Sequence, residues 1–176
     1  MSLKALIITG DKVQDHEFIY PYYRLQEEGY TIEVATPTGP DVETKGYYGT
    51  KIPVTAHTNE IIVVDYELLI LPGGAKAMEY LRQDKNILDF IESFHDNNRV
   101  IGSICHGAQL LISAGLCHSN RKISGYYSIK DDIENAGGVY IDEPVVTCER
   151  IVTSPHYKYL GPWMREVLYQ AKVNIL

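Results

Sequence analysis

Apolar positions fall along the chain in short solid runs separated by stretches with helical spacing. Lys4 to Thr9 is a continuous run, the mark of a strand buried on both faces. His16 to Gly29 follows, with Phe18, Ile19, Tyr22 and Leu25 on one face and Gly29 as a stop, which predicts a helix. Tyr30 to Ala35 alternates until Pro37, Gly39 and Pro40 break it, so a strand, helix, strand unit is complete and its two strands are expected to lie parallel. Tyr47 to Thr55 alternates around Gly49 and Pro53 and predicts a short hairpin at a sheet edge.

The pattern then repeats. Glu67 to Leu71 is apolar and ends at Pro72-Gly73-Gly74, after which Met78 to Leu81 and Ile87 to Phe94 have helical spacing. Arg99 to Ile104 is another buried strand, and it passes almost without a linker into a predicted helix, His106 to Ala114, stopped by Gly115. Strands over Lys122–Ser124, Gly138–Asp142, Val145–Thr147 and Ile151–Thr153, and helices over Ile129–Ala136 and Trp163–Val173, complete the chain. Strands alternating with helices predict an α/β sandwich, a mainly parallel sheet with helices on both faces and ligands bound at the carboxyl ends of the strands. With 176 residues and no linker or repeat, one domain over 1–176 is expected.

Composition narrows the function classes. Sixteen basic against 23 acidic residues give a net charge of −7, and the only basic doublet is Arg121-Lys122, which argues against nucleic acid and anionic membranes as partners. The first apolar run is too short for a secretion signal or a spanning helix, and three unpaired-looking cysteines suit a reducing compartment, so a cytoplasmic protein is expected. Six His and three Cys show no spacing that gathers metal ligands, and no nucleotide-cradling glycine motif occurs, so neither metal nor cofactor is expected. Fourteen tyrosines, half apolar and half polar, suit a subunit interface.

The candidate chemistry lies at the tightest junction. In Gly102-Ser103-Ile104-Cys105-His106-Gly107 a buried strand ends on a thiol and a helix begins at once, the layout of a nucleophile elbow, with small neighbours that allow the sharp turn. A helix start favours the thiolate, so a lowered Cys105 pKa is expected. Cys117 and Cys148 lack such a setting and read as structural. Pro72-Gly73-Gly74 reaches the same sheet edge, where bare backbone N–H groups of this turn, with that of His106, can face a developing oxyanion, or the turn simply links strand to helix. Glu17, in the first turn of the first helix, faces the same edge and can share a proton with the thiol, or serve simply as a helix-start acid. His106 can act as base only if the elbow turns it back toward Cys105.

These residues together resemble the ThiJ/PfpI superfamily, most closely its PfpI-type intracellular protease branch. The resemblance runs from about Lys4 to Leu168 and rests on Glu17-Phe18-Ile19-Tyr20-Pro21 with Arg24-Leu25 and Glu27-Glu28-Gly29. It continues in Leu71-Pro72-Gly73-Gly74, Ser103-Ile104-Cys105-His106-Gly107 with Gln109, Ile129-Lys130-Asp131-Asp132 and Asn135-Ala136-Gly137. It implies a flavodoxin-like three-layer fold, Cys105 as nucleophile, Glu17 touching its sulfur, and an oxyanion hole at Gly74 and His106. It also implies that Glu79 of a neighbouring subunit completes a triad with Cys105 and His106, which requires a homo-oligomer, dimer or hexamer. Gly73, Tyr126 and His156 are the implied pocket residues. This chain has Pro155-His156 where the branch usually has Arg after Thr-Ser, and one extra residue between Gly74 and Glu79. The implied activities are peptide or amide hydrolysis and glyoxalase III or deglycase action on 2-oxoaldehydes and their adducts. A non-enzymatic stress chaperone or cysteine redox sensor is the alternative.

Overall fold

The computed structural model describes residues 3–173, so the first two and last three positions of the expected 1–176 domain lie outside it. Nine strands and six α-helices are formed among these residues. They are β1 (Lys4–Ile8), α1 (Asp15–Glu27), β2 (Thr31–Thr36), β3 (Ala56–His57), β4 (Leu68–Leu71), α2 (Ala75–Leu81), α3 (Lys85–Asp96), β5 (Val100–Ile104), α4 (Ala108–Ser113), β6 (Lys122–Ile123), α5 (Lys130–Asn135), β7 (Val139–Tyr140), β8 (Val146–Cys148), β9 (Ile151–Ser154) and α6 (Leu160–Val173). Seven strands make one sheet in the order β3-β2-β1-β4-β5-β9-β8, parallel throughout except that β8 runs antiparallel to β9.

The solid apolar runs are the central strands because helices cover both faces. Along β1 and β4 successive residues alternate between two cores: Leu6, Ile8, Leu69 and Leu71 pack with Met78, Ile87, Phe94 and Leu110 of α2, α3 and α4, while Ala5, Ile7, Leu68 and Ile70 pack with Phe18, Leu25, Trp163 and Val167 of α1 and α6. The register Ile7 opposite Ile70 and Ile70 opposite Gly102 fixes which residues face each core, since a slip by one would exchange the faces. Gly102 makes room for the second core: a Cβ there would lie 2.9 Å from Val167 and 3.2 Å from Trp163.

From β1 the chain crosses to β2 on one side and later to β4 on the other, so the direction of winding reverses at β1. In such sheets the reversal opens a crevice beyond the carboxyl ends of the strands. Here the ends of β1, β4 and β5 meet, carrying Gly10–Gln14, Pro72–Gly74 and Cys105.

Three expectations need correction. The predicted hairpin over Tyr47–Thr55 is a loop with a single antiparallel bridge, Lys45 to Lys51, and the edge strand is β3, parallel to β2. Around that bridge the Gly46 N–H donates to the Thr50 carbonyl at 2.8 Å and the Ile52 N–H to the Thr44 carbonyl at 3.0 Å, but other donors go to the start of α1: Tyr47 N–H donates to the Val13 carbonyl at 2.8 Å, and the N–H groups of Tyr48 and Thr50 donate to the Asp15 carboxylate at 2.8 and 2.9 Å. The helix predicted from His106 begins instead as a 3-10 turn, Cys105–Gly107, before α4. The strands near 122 and 139 pair only with each other, as a separate parallel ladder of β6 and β7.

Gly107 sets the closeness of the elbow to β4, because a Cβ on it would lie 2.4 Å from the Leu71 carbonyl oxygen. Backbone cannot yield cheaply, so Gly107→Ala is expected to cost about 2 kcal/mol or more and to lower Tm by about 5 °C. Thermal unfolding followed by circular dichroism checks this, and an unchanged Tm would contradict it.

Candidate functional site

Cys105 has φ +59, the left-handed region that costs a non-glycine residue energy, and the strain lies at the turn between β5 and the 3-10 turn. The turn brings His106 back over its neighbour, so that Sγ and His106 Nδ1 are 3.5 Å apart. The His106 ring stacks on Tyr126, with centroids 4.7 Å apart, and Tyr126 is fixed by its own N–H, which donates to the Cys105 carbonyl at 3.0 Å.

Glu17 lies fully buried beneath the thiol. The Gln14 side chain caps α1 by accepting from the N–H groups of His16 and Glu17, which places Glu17 in the first turn and aims it at the sheet edge. Its Oε2 accepts the Gly73 N–H at 2.7 Å; its Oε1 is buried without a conventional hydrogen-bond partner and faces the influence of the Cys105 thiol. Burial pushes the Glu17 carboxyl from 4.5 up to about 8, against the lowering effects of Cys105 and the Gly73 N–H. Glu17 therefore holds a proton at neutral pH.

The Cys105 thiol, 6% exposed, does not follow the expected lowering. Burial raises its pKa first and the negative charge of an ionised Glu17 adds to that, while the backbone N–H groups of His106 and Gly74 pull it down. A charge on both groups is thus disfavoured, and one negative charge is shared by the pair as it titrates. The same two N–H groups named for the oxyanion hole are the ones that already solvate the sulfur. Burial also lowers His106, which leaves its imidazole neutral and able to take a proton.

The cavity above Cys105 has a volume of about 380 Å³. Of the expected site residues, Cys105, His106, Gly74, Tyr126 and His156 line it. Gly73 is not a pocket residue: it lies buried below, where its N–H holds Glu17 and a Cβ would meet Glu17 Oε2 at 2.5 Å. His156 does not replace the missing positive group, because its Nδ1 accepts the Lys158 N–H at 3.1 Å, and burial, then Lys158, lowers its pKa. Glu79 projects outward from α2, 64% exposed and paired with Lys76 at 2.8 Å, and does not line the cavity of its own chain. Cys117 is buried elsewhere, its thiol pushed up to about 12 by burial, and Cys148 sits on β8. Among the described residues no three His, Cys, Asp or Glu side chains converge as a metal site.

A family model described as the DJ-1/PfpI family matches residues 3–170. The chain belongs to the DJ-1/PfpI family. It is 35% identical over 164 residues to the Deglycase PfpI of Pyrococcus furiosus, covering 93% of this chain and 96% of that protein. It is 32% identical over 171 residues to the Protein/nucleic acid deglycase 2 of Escherichia coli, covering 96% and 97%. Among solved structures, a two-domain protein with DJ-1/ThiJ/PfpI-like and ferritin-like domains from Anabaena variabilis superposes with a TM-score of 0.91 at 27% identity, over 96% of this chain; this chain spans about half, 48%, of that one. Schizosaccharomyces pombe DJ-1 shares the fold, with a TM-score of 0.87 at 23% identity over 96% of this chain and 91% of that one. The flavodoxin-like α/β fold expected from the motifs is thereby established.

Sequence reasoning missed most of the cavity wall. Lys12, Gln14, Tyr47, Tyr48, Ala75, Lys76 and Tyr157 line it, and Tyr47 and Tyr48 arrive on the loop misread as a hairpin. Asp15 holds that loop. Burial raises its pKa, but the Thr50 hydroxyl and the N–H groups of Tyr48 and Thr50 outweigh this and leave it lowered, an ionised anchor. A second acid two positions before Glu17 was the available signal.

The raised Glu17 pKa makes stability depend on pH. The folded state holds this proton more tightly than the unfolded state above pH 4.5, so its contribution is fully present below 4.5 and is lost as pH rises through about 8. Glu17→Gln removes the titration. The stability of the variant relative to the parent is expected to rise between pH 5 and pH 9, read from denaturant midpoints; parallel pH profiles would contradict it.

Proposed function

We propose that this chain is a cysteine-dependent carbonyl enzyme that acts on 2-oxoaldehydes and their adducts with amines, a deglycase and glyoxalase of the DJ-1/PfpI family. The observation that carries this reading is the strained Cys105 set between a protonated, buried carboxyl and two backbone N–H groups, beneath a cavity of about 380 Å³. The names of the relatives from Pyrococcus furiosus and Escherichia coli support the deglycase reading, and a compact, ring-lined cavity suits a small carbonyl compound better than an extended peptide. Hydrolysis of peptides or amides would use the same nucleophile and is the second substrate class to assay.

In this reading Sγ attacks the aldehyde carbon and the thiol proton passes to neutral His106 Nδ1. The oxygen that gains charge accepts from the N–H groups of Gly74 and His106, which interact with the Cys105 sulfur before the attack. Glu17 keeps its proton and donates to the sulfur, so no second negative charge opposes the anion. A proton moves from the aldehyde carbon to the neighbouring carbon, with His106 as carrier, leaving a thioester that water hydrolyses. The balance is one 2-oxoaldehyde and one water to one 2-hydroxy acid. From an amine adduct the same sequence uses one water, and the C–N bond breaks to release the amine with the 2-hydroxy acid.

Among the described residues of its own chain no carboxylate orients His106. We propose that Glu79 of a second copy does so in a homo-oligomer, dimer or hexamer, and the exposure of Glu79 and of its neighbour Tyr80 on α2 supports such an interface. Among the described residues no helix is long and apolar enough to cross a membrane. Three free cysteines suit a reducing compartment and support the cytoplasm as its location.

Lactate formed from methylglyoxal is the direct assay. Cys105→Ala and Glu79→Ala should each lose most turnover, and mixing the two under conditions that exchange subunits should restore about a quarter of the parental rate if the acid acts across a dimer. No turnover by the parent, with a mass gain at Cys105 on mild oxidation, would make the protein a redox sensor instead. Turnover by the parent without any restoration on mixing would remove Glu79 from the site.

A further inference from the structure

The cavity has a charge opposite in sign to the molecule. The chain carries 23 acidic against 16 basic residues, yet among the described residues the charged side chains lining the cavity are Lys12 and Lys76, and no carboxylate of the same chain lines it; the Glu79 proposed above from a second copy would act at His106. The acids on the adjoining segments are otherwise engaged: Asp11, next to Lys12, accepts the Lys45 N–H at 3.0 Å, Glu17 lies beneath the cavity holding its proton, and Asp15 accepts the N–H groups of the Tyr48 loop. Lys76 is paired with Glu79 at 2.8 Å. Lys12 differs, because among the described residues its ammonium has no carboxylate partner, although acids are in excess.

Lys12 is also held in place. Its φ of +66 lies in the left-handed region, uncommon for a residue with a long side chain. Its N–H donates to the Lys45 carbonyl at 2.7 Å, and its own carbonyl packs against Gly74, where a Cβ would come within 2.8 Å of it. The backbone is fixed from the side of the loop and from the side of the oxyanion hole, and strain of this kind persists at sites where it positions a group. The aromatic wall of Tyr126, His156 and Tyr157 supplies a poor second cation, since burial, then Lys158, lowers the His156 pKa below its ordinary 6.5.

We infer that Lys12 is a specificity residue: the cavity takes carbonyl substrates that carry a compact anionic group, a carboxylate or a phosphate, which Lys12 binds while the carbonyl lies at Cys105. This rests on the carbonyl-enzyme reading above and narrows its substrates to acidic ones, such as the adduct of a 2-oxoaldehyde with a free amino acid or the end of a short peptide. A positive cavity in an acidic protein also draws anions toward the nucleophile and turns them from the rest of the surface.

Two probes that differ only in charge test it: the hemithioacetals of methylglyoxal with N-acetylcysteine, a carboxylate, and with N-acetylcysteinamide, neutral. The parent should show a kcat/KM about fivefold higher for the carboxylate, an advantage of the size an exposed charge pair provides. The advantage should fall when ionic strength is raised from ~0.02 to ~0.3 M. Lys12→Gln should abolish it through KM with kcat unchanged, and Lys12→Arg should keep it. Acetate and inorganic phosphate, added as competitors against methylglyoxal, identify the group: the one that inhibits the parent at the lower concentration, and spares Lys12→Gln, is the anion the site prefers. Equal rates for the two probes in the parent overturn the inference and leave the carbonyl chemistry standing. So does an equal loss of both probes in Lys12→Gln, which would assign Lys12 to loop geometry. If the parent turns over neither probe nor methylglyoxal, the enzyme reading itself fails.

Discussion

A carboxyl that must stay neutral sits at the centre of this structure. Glu17 is fully buried, accepts one hydrogen bond from the Gly73 N–H, and has its other oxygen on the side of the Cys105 thiol. An ionised carboxylate there would be costly to desolvate and would repel a thiolate, whereas a protonated one stabilises it. Three separate strand ends serve this one group. The loop after β1 carries it on α1, the loop after β4 supplies its hydrogen bond, and the turn after β5 places the sulfur beside it.

Those strand ends meet because the sheet reverses its winding at β1. That topology gives a crevice but no chemistry. Close backbone approach converts the crevice into a site: Gly73 leaves room for the Glu17 carboxyl, Gly74 packs against Lys12, and Gly107 lets the elbow lie on β4. The walls come from elsewhere. Tyr47 and Tyr48 are brought by a loop that Asp15 ties to α1, and Tyr126 by its hydrogen bond to the Cys105 carbonyl. A neutral carboxyl below, a neutral imidazole beside and the Lys12 side chain in the cavity wall form an environment suited to one negative charge at a time.

Much of this was legible in the residues. The central strands were readable because burial on both faces leaves solid apolar runs, and Cys105 because a strand and a helical turn met there without a linker. Glu17 was legible only as one of two possibilities, since a first-turn acid serves helix and site alike. The direction of the Cys105 pKa was misread: the favourable field of a helix start is visible in sequence, but the extent of burial and the coupling to Glu17 are tertiary facts. The loop over Tyr47–Thr55 was misread because alternation does not reveal that Asp15 will take the N–H groups a partner strand would need. Lys12, which lines the cavity, carried no local signal, as a left-handed lysine has no sequence signature, and Glu79 entered only through the family resemblance, because an exposed helix acid looks like any other.

The central claim is that the Glu17 carboxyl keeps its proton at neutral pH. Carbon-13 NMR of side-chain-labelled glutamates, with the Glu17→Gln spectrum subtracted to assign the signal, reports its ionisation directly. The expected result is a carboxyl still protonated at pH 7 and titrating with a midpoint of about 8. A midpoint near 4.5, the ordinary value, would mean an ionised Glu17 beside the sulfur and would contradict it.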